Sequence, residues 1–337
     1  VQLTYAIESQ IDCVAQALGM DPLAFRLKNL VRGGEETAVG ETFAVARSIE
    51  TLEAAVDASS YNNPKPSGVG RGIAVTKQES GGGEAHASVT LGLDGSVVLS
   101  TPIFEQGTGT YTMLQQVAAE CLGMAPERVQ IHVWDTDAVS NDTGISADRG
   151  TRLGSQAAYG AADEAKHQIY KLAAELLSWP EEHLTMIGDD VVRDDTGEPH
   201  PWQALIERTG APVVGRADVE DSGPPSVTSF SAQIAEVAVD LETGQIAVVR
   251  LTTAHDTGRI INPLGHQGQI NGGAIQGVGY GLLEEIPLDD GHVTTPSFAE
   301  YKIPTIADVP QLQTVLLESN DGAGPVKAKS AGEIANA

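Results

Sequence analysis

The sequence has little of what a self-contained redox or nucleic-acid-binding protein needs. Two cysteines in 337 residues, Cys13 and Cys121, are too few for a disulfide scaffold or for the four ligands of an all-cysteine iron-sulfur cluster. Redox chemistry would need another centre. The histidines, at 86, 132, 167, 183, 200, 255, 266 and 292, include no helical i, i+4 pair and no neighbouring ligands, so no catalytic metal cluster follows from them. Lysine and arginine number 20 against 46 acidic residues, a formal net charge of -26 that repels nucleic acid and anionic membrane surfaces. No window approaches the length of apolar residues that spans a bilayer, and no leader precedes Val1, so a cytoplasmic location without a membrane-spanning segment is expected. The "GTGTY" run lacks the lysine of a Walker loop, and "GVGRG" at Gly68–Gly72 follows a linker rather than a strand, which disfavours ATP and NAD. The acidic excess reads as solubility or salt adaptation rather than as a steering surface.

What is present is enough apolar material, 41% of residues, for two domains. Ile7, Ile11, Val14, Ala15 and Leu18 recur at helical spacing and stop near Gly19 and the Asp21-Pro22 step. A helical turn over 24–30, a helix over 45–58 and the linker-like "SSYNNPKPSG" complete an N-terminal segment, 1–66. From Gly68 the pattern becomes strand-like, with a hairpin through Asp94-Gly95. A helix from about Tyr111 to Leu122, a strand at "RVQIHVWDT", a polar loop from Asp137 to Leu153 and a long helix over 155–177 follow. Residues 180–225, rich in Pro, Gly, Asp and Glu, read as a surface excursion. A second hairpin turning near Thr243-Gly244 echoes the first. The expected fold is mixed α/β: 1–66 joined to a first domain over 67–225, and a second over 226–337.

Four loops combine glycines with amides, hydroxyls or a cation, the composition of a surface that cradles anionic groups with backbone N–H donors. They are Glu105–Thr112, Asn141–Thr151, Gly258–Gln269 and Gly324–Ala337. The first precedes a helix, so its N–H groups face either an anion or an ordinary cap. Six glycines between Gly265 and Gly279 interrupt a helical pattern, which fits close approach of backbone to backbone or to a ligand. Glu333 follows Gly332 near Lys327 and Lys329; it reads either as an ionised proton acceptor or as a surface ion-pair partner.

Several of these stretches, taken in order, resemble the C-terminal portion of the molybdopterin-binding subunit of the xanthine dehydrogenase and aldehyde oxidase family. They are "AIESQIDCVAQALGMDPLAFRLKNL", "EQGTGTYTMLQQVAAECLGM", "VWDTDAVSNDTG", "ADRGTRLGSQAAYGAA", "AHDTGRIINPLGHQGQINGGAIQGVGYGLLEE", "YKIPTIADVP" and "GPVKAKSAGE". The resemblance implies two related domains of mixed sheets packed with helices around a molybdenum-molybdopterin cofactor, in its phosphate or cytosine dinucleotide form. It assigns Glu333 as the base that accepts a proton while water-derived oxygen reaches an electron-poor carbon of an aldehyde or N-heterocycle. It places Gly107, Thr108, Gly109, Ala147, Asp148, Arg149, Gly150, Thr151, Gln269 and Lys329 beside the cofactor. Thr108 departs from the glutamine usual in the family's "EMGQG" motif, which alters one cofactor hydrogen bond. Electrons are expected to leave through a [2Fe-2S] subunit and an FAD subunit. A complementary N-terminal molybdopterin-binding chain or domain is expected to complete the site, because the resemblance begins past the loop that bears substrate-facing residues and ends before a further helical segment. The other reading is a non-catalytic cofactor-carrying, assembly or vestigial member of the same fold.

Overall fold

A computed structural model describes residues 2–138, 141–221, 227–329 and 331–336. The chain opens with helices α1 (Gln2–Ala17), α2 (Pro22–Asn29) and α3 (Ser48–Ala58), followed by strand β1 (Val69–Glu79). Asp21 starts α2 by accepting the N–H groups of Leu23 and Ala24 at 2.9 and 3.0 Å, with Pro22 in the first turn, where a missing N–H does no harm. Strands β2 (Gly83–Leu91) and β3 (Val97–Thr101) form the first hairpin; α4 (Thr110–Leu122) then crosses over to β4 (Val129–Val133), parallel to β3. Helix α5 (Ser155–Leu177), strands β5 (Leu184–Ile187), β6 (Asp190–Arg193) and β7 (Glu198–Pro201), helix α6 (Trp202–Thr209) and strand β8 (Val213–Asp221) follow. The second hairpin, β9 (Thr228–Val239) with β10 (Ile246–Gly258), leads into α7 (Pro263–Leu282), the short pair β11 (Leu288–Asp289) and β12 (His292–Val293), and β13 (Gln311–Glu318), parallel to β10.

These elements divide into two units. Unit 1 comprises Val1–Glu79, Ser226–Asp321 and Lys329–Ala337; unit 2 comprises Ser80–Pro225 and Gly322–Ala328. Their main sheets follow one plan. Unit 1 has the order β1-β9-β10-β13 and unit 2 the order β8-β2-β3-β4. In each, an antiparallel outer strand flanks a hairpin whose second strand is joined through a helix to a parallel neighbour. The echo between the two hairpins thus extends to whole sheets.

The division differs from the sequence expectation at residue 67. Strand β1 pairs over its whole length with β9, from Val69 opposite Ala238 to Glu79 opposite Thr228, so 1–79 belongs with the C-terminal sheet. A strand whose partner is distant in sequence leaves no local turn to announce it. The expected boundary at 225/226 falls outside the described residues. Residues 180–225 are also more ordered than expected. Their described part forms a three-stranded sheet, a helix that buries Trp202, Leu205 and Ile206, and the outer strand of unit 2. The glycines read as irregularity are tight turns, with φ of 63° at Gly188 and 72° at Gly197.

The core of unit 1 sets Leu52, Ala55 and Val56 of α3 on Ile73, Ala232, Ile234 and Ala254 of the sheet. Helix α1 forms where the apolar spacing predicts it, but Ile7 and Leu18 lie exposed, and the helix is held by Ala15 and by Glu8, which accepts from Arg26 at 2.9 Å. In unit 2, α5 buries a stripe of small residues, Ala157, Ala158, Ala161, Ala162 and Ala165, and so comes close enough to β8 that only glycine fits at 215. Among the described residues no helix is long and apolar enough to cross a membrane. Both cysteines are free thiols; Cys121 is buried, and burial pushes its thiol up to about 11.

A Cβ at Gly215 would stand 2.1 Å from the Ala161 carbonyl oxygen and 2.4 Å from the Ala165 nitrogen. Gly215→Ala is therefore expected to lower unfolding stability by about 1–3 kcal/mol, the usual penalty of overpacking, in chemical denaturation. An unchanged midpoint would show that α5 and β8 are not in such contact.

Candidate functional site

All four candidate loops leave the same place in the two sheets. Glu105–Thr112 follows β3 and Asn141–Thr151 follows β4; Gly258–Gln269 begins at the last residue of β10, and the Gly324–Ala337 segment follows β13. These are the parallel pairs of each unit, and every loop emerges at the carboxyl end of its strand. In open sheets joined by crossover helices, ligands bind beyond those ends.

In unit 2, the Glu105 loop is organised around one carboxylate. The N–H groups of Gly107, Thr108 and Gly109 donate to Glu105 Oε1 at 2.7, 2.7 and 3.1 Å, and that of Tyr111 donates to Oε2 at 3.2 Å. Partial desolvation pushes the Glu105 carboxyl up, but the four backbone donors outweigh it and its pKa lies below the usual carboxylate value. Of the two outcomes open in the sequence, the capped loop is the one formed, and the anion is the protein's own. Gly107 and Gly109 take φ of 93° and 82°, which only glycine adopts without strain. Thr108 Oγ1 shares a hydrogen bond of 2.7 Å with Thr110 Oγ1. Nothing stands within 4 Å of the place a Cβ would occupy at Gly107.

The second loop of unit 2 is strained. Ala147 and Asp148 take φ of 52° and 57° in succession, left-handed conformations that cost on the order of 1 kcal/mol each without glycine. The turn persists because its carbonyls are held: Ala147 O accepts the Gly81 N–H at 2.7 Å, and Asp148 O accepts Ser80 Oγ at 3.2 Å. Arg149 folds back, donating from Nε to Ser146 O at 2.9 Å and from Nη1 to Thr143 O at 3.2 Å. Gly150 and Thr151 begin a π-helical turn, Gly150–Gly154, that runs into α5. A Cβ on Gly154 would touch Ile103, just before the Glu105 loop, and Leu114 of α4. The starts of α4 and α5 therefore lie side by side, and the positive ends of two helix dipoles share one end of unit 2.

Unit 1 holds Gln269, Lys329 and Glu333. Gln269 lies half-buried in the first half of α7, just before the fully buried Ile270. Glu333 is exposed on a turn whose next residues, Ile334 and Ala335, are buried; the Gln78 amide donates to its Oε2 at 3.4 Å, and Gln233 Nε2 donates to Ala335 O at 2.8 Å. Gly273 of α7 is needed there, since a Cβ would lie 2.9 Å from that of Ala335. Lys329 is buried, and its ammonium meets Asp256 Oδ2 at 2.5 Å.

Comparison with known proteins identifies the family. A family model described as a molybdopterin cofactor-binding domain matches residues 45–310, well over half of the chain. The chain belongs to that family. It is 30% identical, over 98% of its length and 47% of the relative's, to a putative xanthine dehydrogenase molybdenum-binding subunit of Escherichia coli. It is 28% identical to an aldehyde oxidoreductase molybdenum-binding subunit of the same organism, over 98% of the chain and 46% of the relative. Quinoline 2-oxidoreductase of Pseudomonas putida superposes with a TM-score of 0.87 at 26% identity, covering 99% of this chain and 47% of that one. Carbon monoxide dehydrogenase of Oligotropha carboxidovorans shares the fold, with a TM-score of 0.89 at 22% identity over 99% of this chain and 46% of that one. The chain thus spans about half the length of these relatives.

For a molybdopterin-binding domain, the residues of unit 2 are suitable: the space beside the Gly107 Cα, the small residue Ala147 in a left-handed turn, and the helical turn from Gly150 into α5 suit a bulky, anionic, heteroatom-rich group. Among the described residues no group of three or more His, Cys, Asp or Glu side chains could hold a metal directly. Sequence reading passed over Glu105 and Asp256 as organisers. Glu105 had a visible signal, an acid two residues before the first of two closely spaced glycines that open a helix; Asp256, within a strand, had none.

Because the Glu105 pKa is depressed in the folded loop, its contribution is present above the ordinary glutamate value near 4.3 and is lost as pH falls through the lower folded value. Glu105→Gln is expected to cost about 1–2 kcal/mol at neutral pH in urea denaturation. The gap from the unsubstituted protein should close as pH drops below about 4. A gap independent of pH would contradict the ionised cap.

Proposed function

We propose that this chain supplies the cofactor-holding loops and the proton-accepting carboxylate of a molybdenum hydroxylase that oxidises an aldehyde or N-heterocycle with oxygen derived from water. The observation that carries this reading is the emergence of all four candidate loops from the carboxyl ends of the parallel strands in two like-built sheets. The names of the relatives support the substrate class, since they include dehydrogenases or oxidoreductases of xanthine, aldehydes and quinoline.

When bound, the molybdenum pterin supplies the electron acceptance that no protein side chain provides. The chain does the rest. Gly107 and Gly109 offer side-chain-free backbone and Thr108 a hydroxyl, Ala147–Thr151 offer a strained turn that includes small side chains, and Gln269 offers an amide. The helical turn from Gly150 into α5 suits the phosphate or cytosine dinucleotide tail of the pterin. Glu333 accepts the proton released as the substrate gains oxygen, with Gln78 orienting one of its oxygens. The relatives' names as molybdenum-binding subunits support a route in which electrons pass to a [2Fe-2S] subunit and an FAD subunit. A complementary N-terminal molybdopterin-binding chain or domain completes the substrate pocket.

The test is Glu333→Gln in the assembled complex. Turnover is expected to fall by about 10²–10⁴-fold, the usual worth of a positioned base, with molybdenum and pterin content unchanged. Turnover within twofold of the unsubstituted complex would remove Glu333 from the mechanism.

A further inference from the structure

The chain leaves unit 1 after Asp321 and re-enters it at Lys329, and both of these residues are fixed by ion pairs inside unit 1. Arg47, which immediately precedes α3, donates to Asp321 Oδ2 from Nη2 at 2.5 Å and from Nε at 2.7 Å. Lys329 Nζ reaches Asp256 Oδ2 at 2.5 Å, with side chains only 2% and 0% exposed, and its backbone N–H donates to Thr257 O at 3.0 Å. Burial raises the Asp256 carboxyl above its ordinary value against the pull of Lys329 and Arg47, whereas the hydrogen bond from Arg47 lowers that of Asp321, with a smaller contribution from Lys329.

The described part of the stretch from Ser319 to Asn336 contains one isolated bridge and one short 3-10 turn, Ile334–Asn336, but no helix or strand of its own. Its place comes from the ion pairs together with the Lys329 N–H on Thr257 O, the Gln233 amide on Ala335 O and the burial of Ile334 and Ala335. A pair exposed to water opens readily, whereas a pair with both members buried cannot open without stranding a charge. Glu333 lies four residues beyond Lys329, on the same return into unit 1.

We infer that the Asp256–Lys329 and Arg47–Asp321 pairs form a two-point clasp that sets the position of the turn bearing Glu333, which makes Asp256 and Lys329 positioning residues. The inference rests on the reading of Glu333 as the proton acceptor, and it explains why a lysine in a loop with cofactor-like composition turns inward. The inner pair bears most of the constraint because it is the more deeply buried.

Amide hydrogen exchange on the full 337-residue chain tests it. In Lys329→Met, exchange across 331–336 is expected to speed up by about 10²-fold, as for loss of a buried ion pair, while β9 and α3 stay within about threefold of the unsubstituted chain. Combining Asp256→Asn with Lys329→Gln, which keeps a neutral hydrogen-bonded pair, is expected to restore most of the protection. Unchanged exchange over 331–336, or an equal rise across β9 and α3, overturns the clasp, as does failure of the neutral pair to restore protection. If circular dichroism shows that Lys329→Met does not fold, Arg47→Met decides: faster exchange confined to the same segment supports the clasp, and none overturns it. In the assembled complex, Lys329→Met is expected to keep its molybdenum and lower kcat about 10–10²-fold with little change in KM. If Glu333→Gln leaves turnover intact, the base assignment fails, while the exchange result still decides the clasp.

Discussion

A charge taken out of water must keep its partner, and that constraint decides where several stretches of this chain go. Arg26 is nearly fully buried and meets both Glu8 and Asp12, which joins α2 to α1; Glu8 also accepts the Val75 N–H at 3.0 Å, which joins α1 to β1. Arg71 on β1 meets Glu236 on β9 at 2.7 Å and so reinforces the pairing of those strands. In unit 2, Arg152 lies buried between Asp221 and the Ser80 carbonyl. Aromatic residues make up only 4% of the sequence, and much of the packing is done by alanine and glycine, which interlock weakly. A buried charge that loses its partner is penalised by several kcal/mol, so each pair rejects alternative placements that small side chains alone would tolerate.

The hairpins were legible because their turns are local: Asp94-Gly95 and Thr243-Gly244 each sit between alternating apolar runs, and both glycines take positive φ. The helix over 155–177 was legible from periodicity, and a helical spacing interrupted by glycines was visible where α7 forms. For strand β1 a strand-like pattern from Gly68 was legible, but its pairing with β9, some 160 residues away, was not. The candidate site divided along the same line. Glycine loops can be recognised wherever they stand, so Gly107–Gly109 and Ala147–Thr151 could be named in advance. The direction in which Lys329 points depends on Asp256, at the far end of a different strand, and no local pattern encodes it.

The two sheets show how one plan yields unlike halves. In unit 2 the outer strand β8 comes after the hairpin and crossover, whereas in unit 1 the outer strand β1 comes before them. The loops at the carboxyl ends differ accordingly. Those of unit 2 are built from backbone, with glycines, a strained turn and helix starts. Those of unit 1 present side chains, an amide on α7 and a carboxylate on a return turn.

The separation of β1 from β9 also bears on how the molecule is made. Most of unit 2 is one continuous stretch and can close as soon as β8 has been synthesised. At 5–20 residues per second, the roughly 150 residues between β1 and β9 take about 10–30 s to emerge. For that time an eleven-residue strand with open edges waits for its partner, which is the circumstance in which nascent chains pair with the wrong neighbour. Its own sequence carries a safeguard: Arg71, Lys77 and Glu79 place charges along a strand that would otherwise offer a continuous edge.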